Sequence, residues 1–271
     1  MNLILIFPEE TGPDGRVKLT DQRAVHIQNV LRAEPGKVLR IGLLNGPFGR
    51  GRVEEMVEGS VTLACEWEAA APPCPTLDLL LAMPRPKVLK RLWAQLAALG
   101  VGRIILTNAE KVERFYFDTH VLNPDFYNAR FIEGLQQARD TRLPEVSVIK
   151  QLKPFLETET FPTIEKKLIA DPSGEHSLFQ TLENLGEKVP SIGTGPKGRG
   201  SPNCVGAQRF AAQERRILLG IGPEGGWTPY ELEMFQAHGF EVFGMGPRIL
   251  RTDTACIGLI SLLAESLRKS V

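Results

Sequence analysis

From residue 77 onward, continuous apolar runs alternate with stretches of helical periodicity, and this alternation limits the fold more than any other feature of the sequence. The runs Leu77–Ala82 and Arg216–Ile221, with residues 166–170 between them, are typical of strands buried on both faces of a sheet. Amphipathic helices are predicted over residues 87–99 and 252–269. Such alternation is typical of a mostly parallel sheet covered by helices, so we predict an α/β fold.

The beginning of the chain has a different pattern. Short apolar runs separated by turn residues occupy residues 3–7, 38–44, 51–57 and 60–66. One helical stretch is predicted between them, over residues 21–32. Short strands at this spacing are typical of a small β-barrel or sandwich.

A proline-rich segment separates the two patterns. Residues 72–75 hold three prolines in four positions, which predicts a stiff extended linker. We therefore predict a small β-domain over residues 1–72 and an α/β domain over residues 73–271. Within the second domain, residues 186–213 are rich in Gly, Pro, Ser and basic residues and have no apolar period, so we expect a long mobile surface loop.

Composition excludes several classes of protein. The chain is 42% hydrophobic and 24% charged, which is ordinary for a globular protein with a sizeable core. No apolar window approaches the length of a membrane span, and we expect no membrane partner. The four cysteines are widely separated, so they favour neither disulfides nor a zinc site. We expect a cytoplasmic protein without a metal.

The charge distribution bears on nucleic-acid binding. The formal net charge is zero, whereas phosphate contacts usually come with an excess of basic residues. Residues 77–103, however, contain five basic residues and one acid. Two interpretations stay open for this segment, a solvated helix face and a local RNA contact.

Two glycine-rich turns follow two late strands. The first spans residues 220–226 and leads into a helix with strong start signals, Thr228 as N-cap and Glu231 completing a capping box. The second spans residues 244–247 and leads through residues 248–251 into the C-terminal helix. In open α/β sheets the carboxyl ends of the strands bind ligands, and glycines there allow close backbone approach. The turns are therefore either plain connections or the walls of one adenosine pocket.

The motifs that are missing from the sequence narrow the chemistry. The sequence has no dinucleotide fingerprint, no phosphate loop, no cluster of metal ligands and no nucleophile elbow. Methyl transfer from a sulfonium fits these limits, because it is an in-line displacement in which positioning supplies much of the rate.

The two turns also carry a family resemblance. Residues 221–228 with Glu231, and residues 245–255, closely resemble the signature of the RsmE family. Its members are SPOUT-class methyltransferases that act on a uridine N3 in small-subunit (16S) ribosomal RNA. The likeness extends to His26 with residues 30–32, and to residues 99–101 and 141–144, and so covers nearly the whole chain.

The resemblance implies a fold, a cofactor and partners. It implies a small N-terminal PUA-like β-barrel that helps hold RNA, followed by a SPOUT-type α/β domain with a C-terminal trefoil knot. The implied cofactor is S-adenosyl-L-methionine. The implied partners are a second copy of the chain, in a homodimer, and ribosomal RNA of the small subunit or its assembly intermediate.

Cofactor-binding residues follow from the two motifs. We assign to the pocket Leu219, Gly220, Gly222, Pro223, Glu224, Gly225, Gly226, Met245, Gly246, Ile249, Leu250 and Thr252. The positions on the substrate side depart from the family pattern. Gln95 and Ala98 stand where members carry Lys and Glu, and the family's E-Q-x-x-R run corresponds to residues 136–140, where its arginine is displaced or lost.

Two residues are candidates for catalysis. Arg251 offers a guanidinium that can stabilise the negative charge that develops on the carbonyl oxygens beside uridine N3. A phosphate contact or an ion pair is the alternative role for Arg251. Glu224 either helps to remove the proton and orient the base, or caps and braces the loop.

RNA contacts are predicted at Arg32, Arg85, Lys87 and Arg248. Two other functions stay open at this point. One is a SPOUT enzyme acting on another RNA position, in tRNA or at a ribose 2′-hydroxyl. The other is a non-catalytic RNA-binding factor in ribosome assembly.

Overall fold

Two β-sheets, formed by two successive parts of the chain, organise the computed structural model, which describes residues 3–159, 161–183 and 216–268. The loop predicted over residues 186–213 lies outside the described residues. None of the helices in the described ranges is long and apolar enough to cross a membrane.

The small sheet is built from the first 67 residues and has the strand order β1-β3-β4-β5-β2. Its strands are β1 (Ile4–Ile6), β2 (Arg16–Leu19), β3 (Val38–Leu43), β4 (Phe48–Val57) and β5 (Ser60–Trp67). The β1–β3 pair is parallel and the other pairs are antiparallel. Alternate residues of β2 and β3 point inward, and fully buried side chains such as Leu19, Ile41 and Leu63 form its core.

Two features of this part differ from the predictions. Strand β2 was not predicted, because Arg-Val-Lys-Leu offers only two apolar residues. The single helix predicted over residues 21–32 is wrong in its second half. Helix α1 covers only Gln22–Val25, and a π-helical turn over His26–Val30 follows, closed by a hydrogen bond from Leu31 N–H to the His26 carbonyl. That turn leaves Val30 exposed while Ile27 stays buried.

The large sheet confirms the predicted α/β fold. Its six strands are all parallel and have the order β11-β9-β10-β6-β7-β8. They are β6 (Leu77–Ala82), β7 (Val101–Thr107), β8 (Glu145–Ile149), β9 (Ile164–Ala170), β10 (Arg216–Ile221) and β11 (Glu241–Phe243). The helices are α2 (Pro86–Ala98), α3 (Pro124–Ala138), α4 (Leu152–Thr158), α5 (Leu178–Glu183), α6 (Pro229–Ala237) and α7 (Thr252–Arg268).

A buried carboxylate joins three strands at the amino edge of the large sheet. Asp78 of β6 is fully buried, and its carboxylate binds the guanidinium of Arg103 at 3.0 Å and that of Arg216 at 2.5 Å. A buried carboxylate needs such partners, because desolvation otherwise disfavours its charge. The contact ties β7 and β10 to the central strand.

The same edge of the large sheet carries the small sheet. Arg142, which lies just before β8, donates hydrogen bonds to the carbonyls of Asn45 and Pro72. Asn45, in the β3–β4 turn, donates its N–H to the Thr141 carbonyl and accepts the Leu143 N–H on its side chain. The carboxyl edge of the large sheet is therefore left free for a site.

Candidate active site

A cleft lies at the carboxyl ends of β9, β10 and β11. Its walls are residues 170–172, the turn after β10, the turn after β11 and the first turns of α7. Both glycine-rich turns therefore face one cavity, although β9 lies between the two strands that they follow. A cleft at this edge of a parallel sheet is typical of a small-molecule site.

The first turn needs glycine for two different reasons. Gly226 has a φ of +71°, and a Cβ atom built there would meet nothing, so the backbone conformation alone requires glycine. Gly222 packs against the indole of Trp227, and a Cβ atom there would lie 3.1 Å from its Nε1. A larger residue at Gly222 would therefore displace one wall of the cleft.

The second turn also needs glycine, for the same two reasons. Gly246 has a φ of +88°, and no atom lies within 4 Å of the position of a Cβ. Gly244 is packed tightly, since a Cβ there would lie 2.8 Å from the Gly174 carbonyl oxygen. Beyond it, Ile249 is 86% exposed, an unusual state for an isoleucine that lines a cleft.

Two hydrogen bonds brace the first turn, and a third braces the start of α6 directly after it. The Glu224 carboxylate accepts the backbone N–H of Arg85 at 3.1 Å. The Lys111 ammonium donates to the Gly225 carbonyl at 2.8 Å. Glu231, which forms the predicted capping box with Thr228, also accepts the N–H of Glu110. Of the two roles considered for Glu224, the bracing contact is therefore the one that the structure contains.

Most of the predicted pocket residues line the cleft. These are Gly222, Pro223, Glu224, Gly226, Met245, Gly246, Ile249, Leu250 and Thr252. Leu219 and Gly220 do not, because they lie inside β10, where they pair with β6 and β9. Gly225 faces away from the cleft and packs against the aliphatic stem of Lys111.

The residues predicted to touch RNA are dispersed. Arg248 lines the cleft. The catalytic candidate Arg251 is exposed and lies three residues further on, directly before α7. Arg85 and Lys87 are exposed at the start of α2, next to the braced turn. Arg32 lies in the small-sheet part, exposed and with a φ of +45°. Arg32 therefore does not share the edge of the sheet that carries the cleft.

Asp171 is a cleft residue that was missed in the sequence. It follows β9 directly, and its Oδ1 accepts the N–H and hydroxyl of Ser173 at 2.9 and 2.7 Å. These bonds orient the carboxylate at the rim of the cleft. The sequence does show an acidic residue directly after a buried strand. Assigning that residue to the site, however, requires knowing that β9 lies between β10 and β11.

The cleft fits S-adenosyl-L-methionine chemically. Trp227 is 5% exposed and lines the cleft, yet its Nε1 has no hydrogen-bond partner among the described residues. A buried donor of this kind is usually satisfied, and a ligand can accept from it. Asp171 and Glu224 add two carboxylates to the lining of the cleft, and a carboxylate can accept hydrogen bonds from hydroxyl groups and attract a cation. In the described ranges, no group of three or more His, Cys, Asp or Glu is placed to hold a metal ion.

Comparison with known proteins agrees with this geometry. The model of a family described as RNA methyltransferase domain matches residues 71–264, so fold and site define a chain of the RNA methyltransferase class. "Ribosomal RNA small subunit methyltransferase E" of Treponema pallidum is 30% identical over 275 residues, covering 98% of this chain and 92% of that protein. The chain belongs to the ribosomal RNA small subunit methyltransferase E family.

Solved structures support the same fold. A ribosomal RNA small subunit methyltransferase E from Neisseria gonorrhoeae, bound to S-adenosyl methionine, superposes with a TM-score of 0.68 at 19% identity, over 98% of both chains. A probable rRNA-methyltransferase from Porphyromonas gingivalis gives 0.68 at 21% identity, over 99% of this chain and all of that one. Both sheets of this chain are thus part of the shared fold.

Proposed function

We propose that this protein transfers a methyl group from S-adenosyl-L-methionine to N3 of a uridine in 16S ribosomal RNA. The observation that carries the proposal is the cleft into which both glycine turns open, since it pairs a concave site at the carboxyl edge of the sheet with backbone that can approach a ligand closely. Membership of the family supports the ribosomal substrate. Uridine N3 as the target rests on the resemblance of residues 245–255 to the family motif.

The chain's own residues would hold the reactants. The cofactor supplies a methyl group on a positively charged sulfur, which needs no metal and no covalent intermediate. We propose that Asp171, which lines the cleft, accepts the ribose hydroxyls. The Trp227 indole N–H, which has no partner among the described residues, would donate to a cofactor atom. Glu224 and Lys111 hold the first turn in place before the cofactor binds. The turn therefore loses little conformational freedom on binding.

Arg251 is the proposed catalytic residue. Arg251 is exposed and directly precedes α7, between Leu250 and Thr252, which both line the cleft. Uridine N3 loses its proton when it attacks the methyl group, and this loss leaves negative charge on the flanking carbonyl oxygens. A guanidinium held close to these oxygens stabilises that charge. Arg248, which lines the cleft, is proposed to contact RNA together with Arg85 and Lys87.

The organisation of the protein is also proposed from the family. We infer that residues 1–72 and 73–271 form two domains, that the second contains a trefoil knot, and that two copies form a homodimer in the cytoplasm, where ribosomes are made. Exposed apolar side chains at Ile249, Ile257 and Leu262 support the dimer, because such surface is usually covered by a partner.

Nucleoside mass spectrometry tests the proposed function. In ribosomal RNA from a deletion strain, N3-methyluridine should disappear and return with the wild-type gene. A Gly226→Val gene should not restore it, because valine is strained at that φ, whereas the surface variant Lys150→Gln should. If N3-methyluridine persists in the deletion strain, the target is another position. If the protein fails to bind S-adenosyl-L-methionine in calorimetry, only the non-catalytic RNA-binding role is left.

A further inference from the structure

The location of Arg251 depends on how the first turn of α7 is held. Arg251 directly precedes this helix, and its backbone carbonyl accepts the N–H of Ala255. Its side chain is exposed and makes no ion pair with any residue in the ranges that the structure describes. The backbone of this turn therefore sets where the guanidinium can reach.

Asp253, the second residue of α7, has both carboxylate oxygens engaged. Its Oδ1 accepts the backbone N–H of Thr254 at 3.0 Å. Its Oδ2 accepts from Nη2 of Arg91 at 2.8 Å, and Arg91 belongs to α2, 162 positions earlier in the chain. The first contact is local to the turn, whereas the second joins the turn to another helix.

Helix α2 is a firm support for this contact. Its inner face consists of fully buried side chains, which are Leu89, Leu92, Trp93 and Leu96. The Trp93 indole N–H also donates to the Val121 carbonyl at 3.0 Å. A helix packed in this way moves little against the core, so the backbone of Arg91 is a fixed point from which its side chain reaches Asp253.

The same helix also holds the first glycine turn. The backbone N–H of Arg85, at the start of α2, donates to the Glu224 carboxylate at 3.1 Å. Residues 85 and 91 are separated by about 9 Å along the helix axis, from a rise of about 1.5 Å per residue. Helix α2 therefore contacts two walls of the cleft, the first glycine turn and the start of α7.

The stability of the fold does not require the pair of Arg91 and Asp253. The side chain of Arg91 is 55% exposed and that of Asp253 is 20% exposed, and an ion pair with such an exposed member adds little to stability. An acid in the first turn of a helix is also stabilised by the free N–H groups there, without a cation. A restraint on the start of α7, in contrast, bears directly on the location of Arg251.

We propose that Arg91 is a positioning residue for methyl transfer. Through Asp253 it holds the start of α7, and with it Arg251, in a fixed place relative to the first glycine turn. This inference rests on the proposed function, in which Arg251 is the catalytic residue, and it adds a residue that acts without contacting the reacting atoms.

Steady-state kinetics test the role of Arg91. Arg91→Gln breaks the pair and should lower kcat about fivefold, the most that an exposed ion pair supplies, with the KM for RNA and the Kd for S-adenosyl-L-methionine unchanged. Arg91→Lys keeps the charge and should restore most of kcat. The matched control is Arg130→Gln, which breaks the exposed pair with Glu133 on α3 and should leave kcat unchanged. In an Arg251→Ala background, Arg91→Gln should cost nothing further, because it acts through that residue.

Amide hydrogen exchange gives a readout that does not depend on activity. In the free protein, exchange over residues 252–256 should be about fivefold faster in Arg91→Gln than in wild type or Arg130→Gln, with the urea midpoint unchanged. Unchanged exchange would overturn the proposal, as would a fivefold loss of kcat that persists in the Arg251→Ala background. A wild-type protein that transfers no methyl group to 16S RNA would refute the proposed function, whereas faster exchange in Arg91→Gln would still support the restraint on α7.

Discussion

The carboxylate of Glu224 and the backbone N–H of Arg85 share a hydrogen bond of 3.1 Å that ties the first glycine turn to the start of α2. The two residues are 139 positions apart in the chain. The bond places a negative charge at the amino end of a thirteen-residue helix, where unsatisfied N–H groups favour anions. Glu224 thus holds the wall of the cleft by a contact that needs an acceptor oxygen.

Glutamine and alanine at position 224 should therefore behave differently. Glu224→Gln keeps an acceptor for Arg85 and should retain turnover within about threefold, whereas Glu224→Ala should lose about tenfold or more in kcat/KM, in line with a hydrogen bond to a charged group. Methyl transfer to 16S RNA is measured over a range of pH. A glutamine variant as inactive as the alanine variant would show that Glu224 acts as a base.

Arg251 should separate cofactor binding from turnover. Arg251→Ala removes the guanidinium but keeps the backbone carbonyl that accepts the Ala255 N–H in the first turn of α7. We expect the Kd for S-adenosyl-L-methionine to stay unchanged and kcat to fall by about 10²- to 10³-fold, as for the loss of one group that stabilises developing charge. Arg114→Ala, another exposed arginine, is the control. Full activity of the Arg251 variant would exclude it from the mechanism.

The buried ion cluster of Asp78, Arg103 and Arg216 should contribute strongly to the stability of the protein, although it lies far from the cleft. Asp78→Asn keeps the shape of the side chain but leaves Arg103 and Arg216 without their carboxylate. We expect the free energy of unfolding to fall by about 3 kcal/mol, the lower end for a broken buried pair, because both arginines keep some exposure. Urea denaturation measures it, with Asp118→Asn as the exposed control. A loss below about 1 kcal/mol would show that the cluster behaves like a surface pair.

The large sheet could be predicted from the sequence because its strands are nearly pure apolar runs. Leu77–Ala82 and Arg216–Ile221 have the predicted bounds, and the capping box predicted the start of α6. A strand that is buried on both faces is a continuous apolar run, so it can be recognised without knowing which strands lie beside it. The short β8, with only Ile149 and its valines apolar, was missed, because an exposed edge strand carries no such signal.

The candidate site was predictable only where its residues are close in sequence. The glycine turns were recognised from their own composition, and positive φ at Gly226 and Gly246 confirms the conformations that glycine permits. Asp171 and Lys111 were not found, because their place in the site depends on which strands are neighbours. Strand order is a property of the packed sheet, and a run of apolar residues does not encode it.

One departure from the family pattern has a measurable cost in stability. Arg139 follows the last residue of α3 in the left-handed conformation, with φ +60° and ψ +49°, and its N–H closes the helix on the Leu135 carbonyl. Glycine is the residue best suited to this position, since a side chain is strained there. Arg139→Gly should therefore raise the free energy of unfolding by about 0.5–1 kcal/mol in urea denaturation, in the range for relief of such strain. Arg139→Ala is the matched control, because it removes the same side chain without giving the backbone freedom. Equal stability of the two variants would mean that the side chain of Arg139, and not its backbone conformation, sets the difference from wild type.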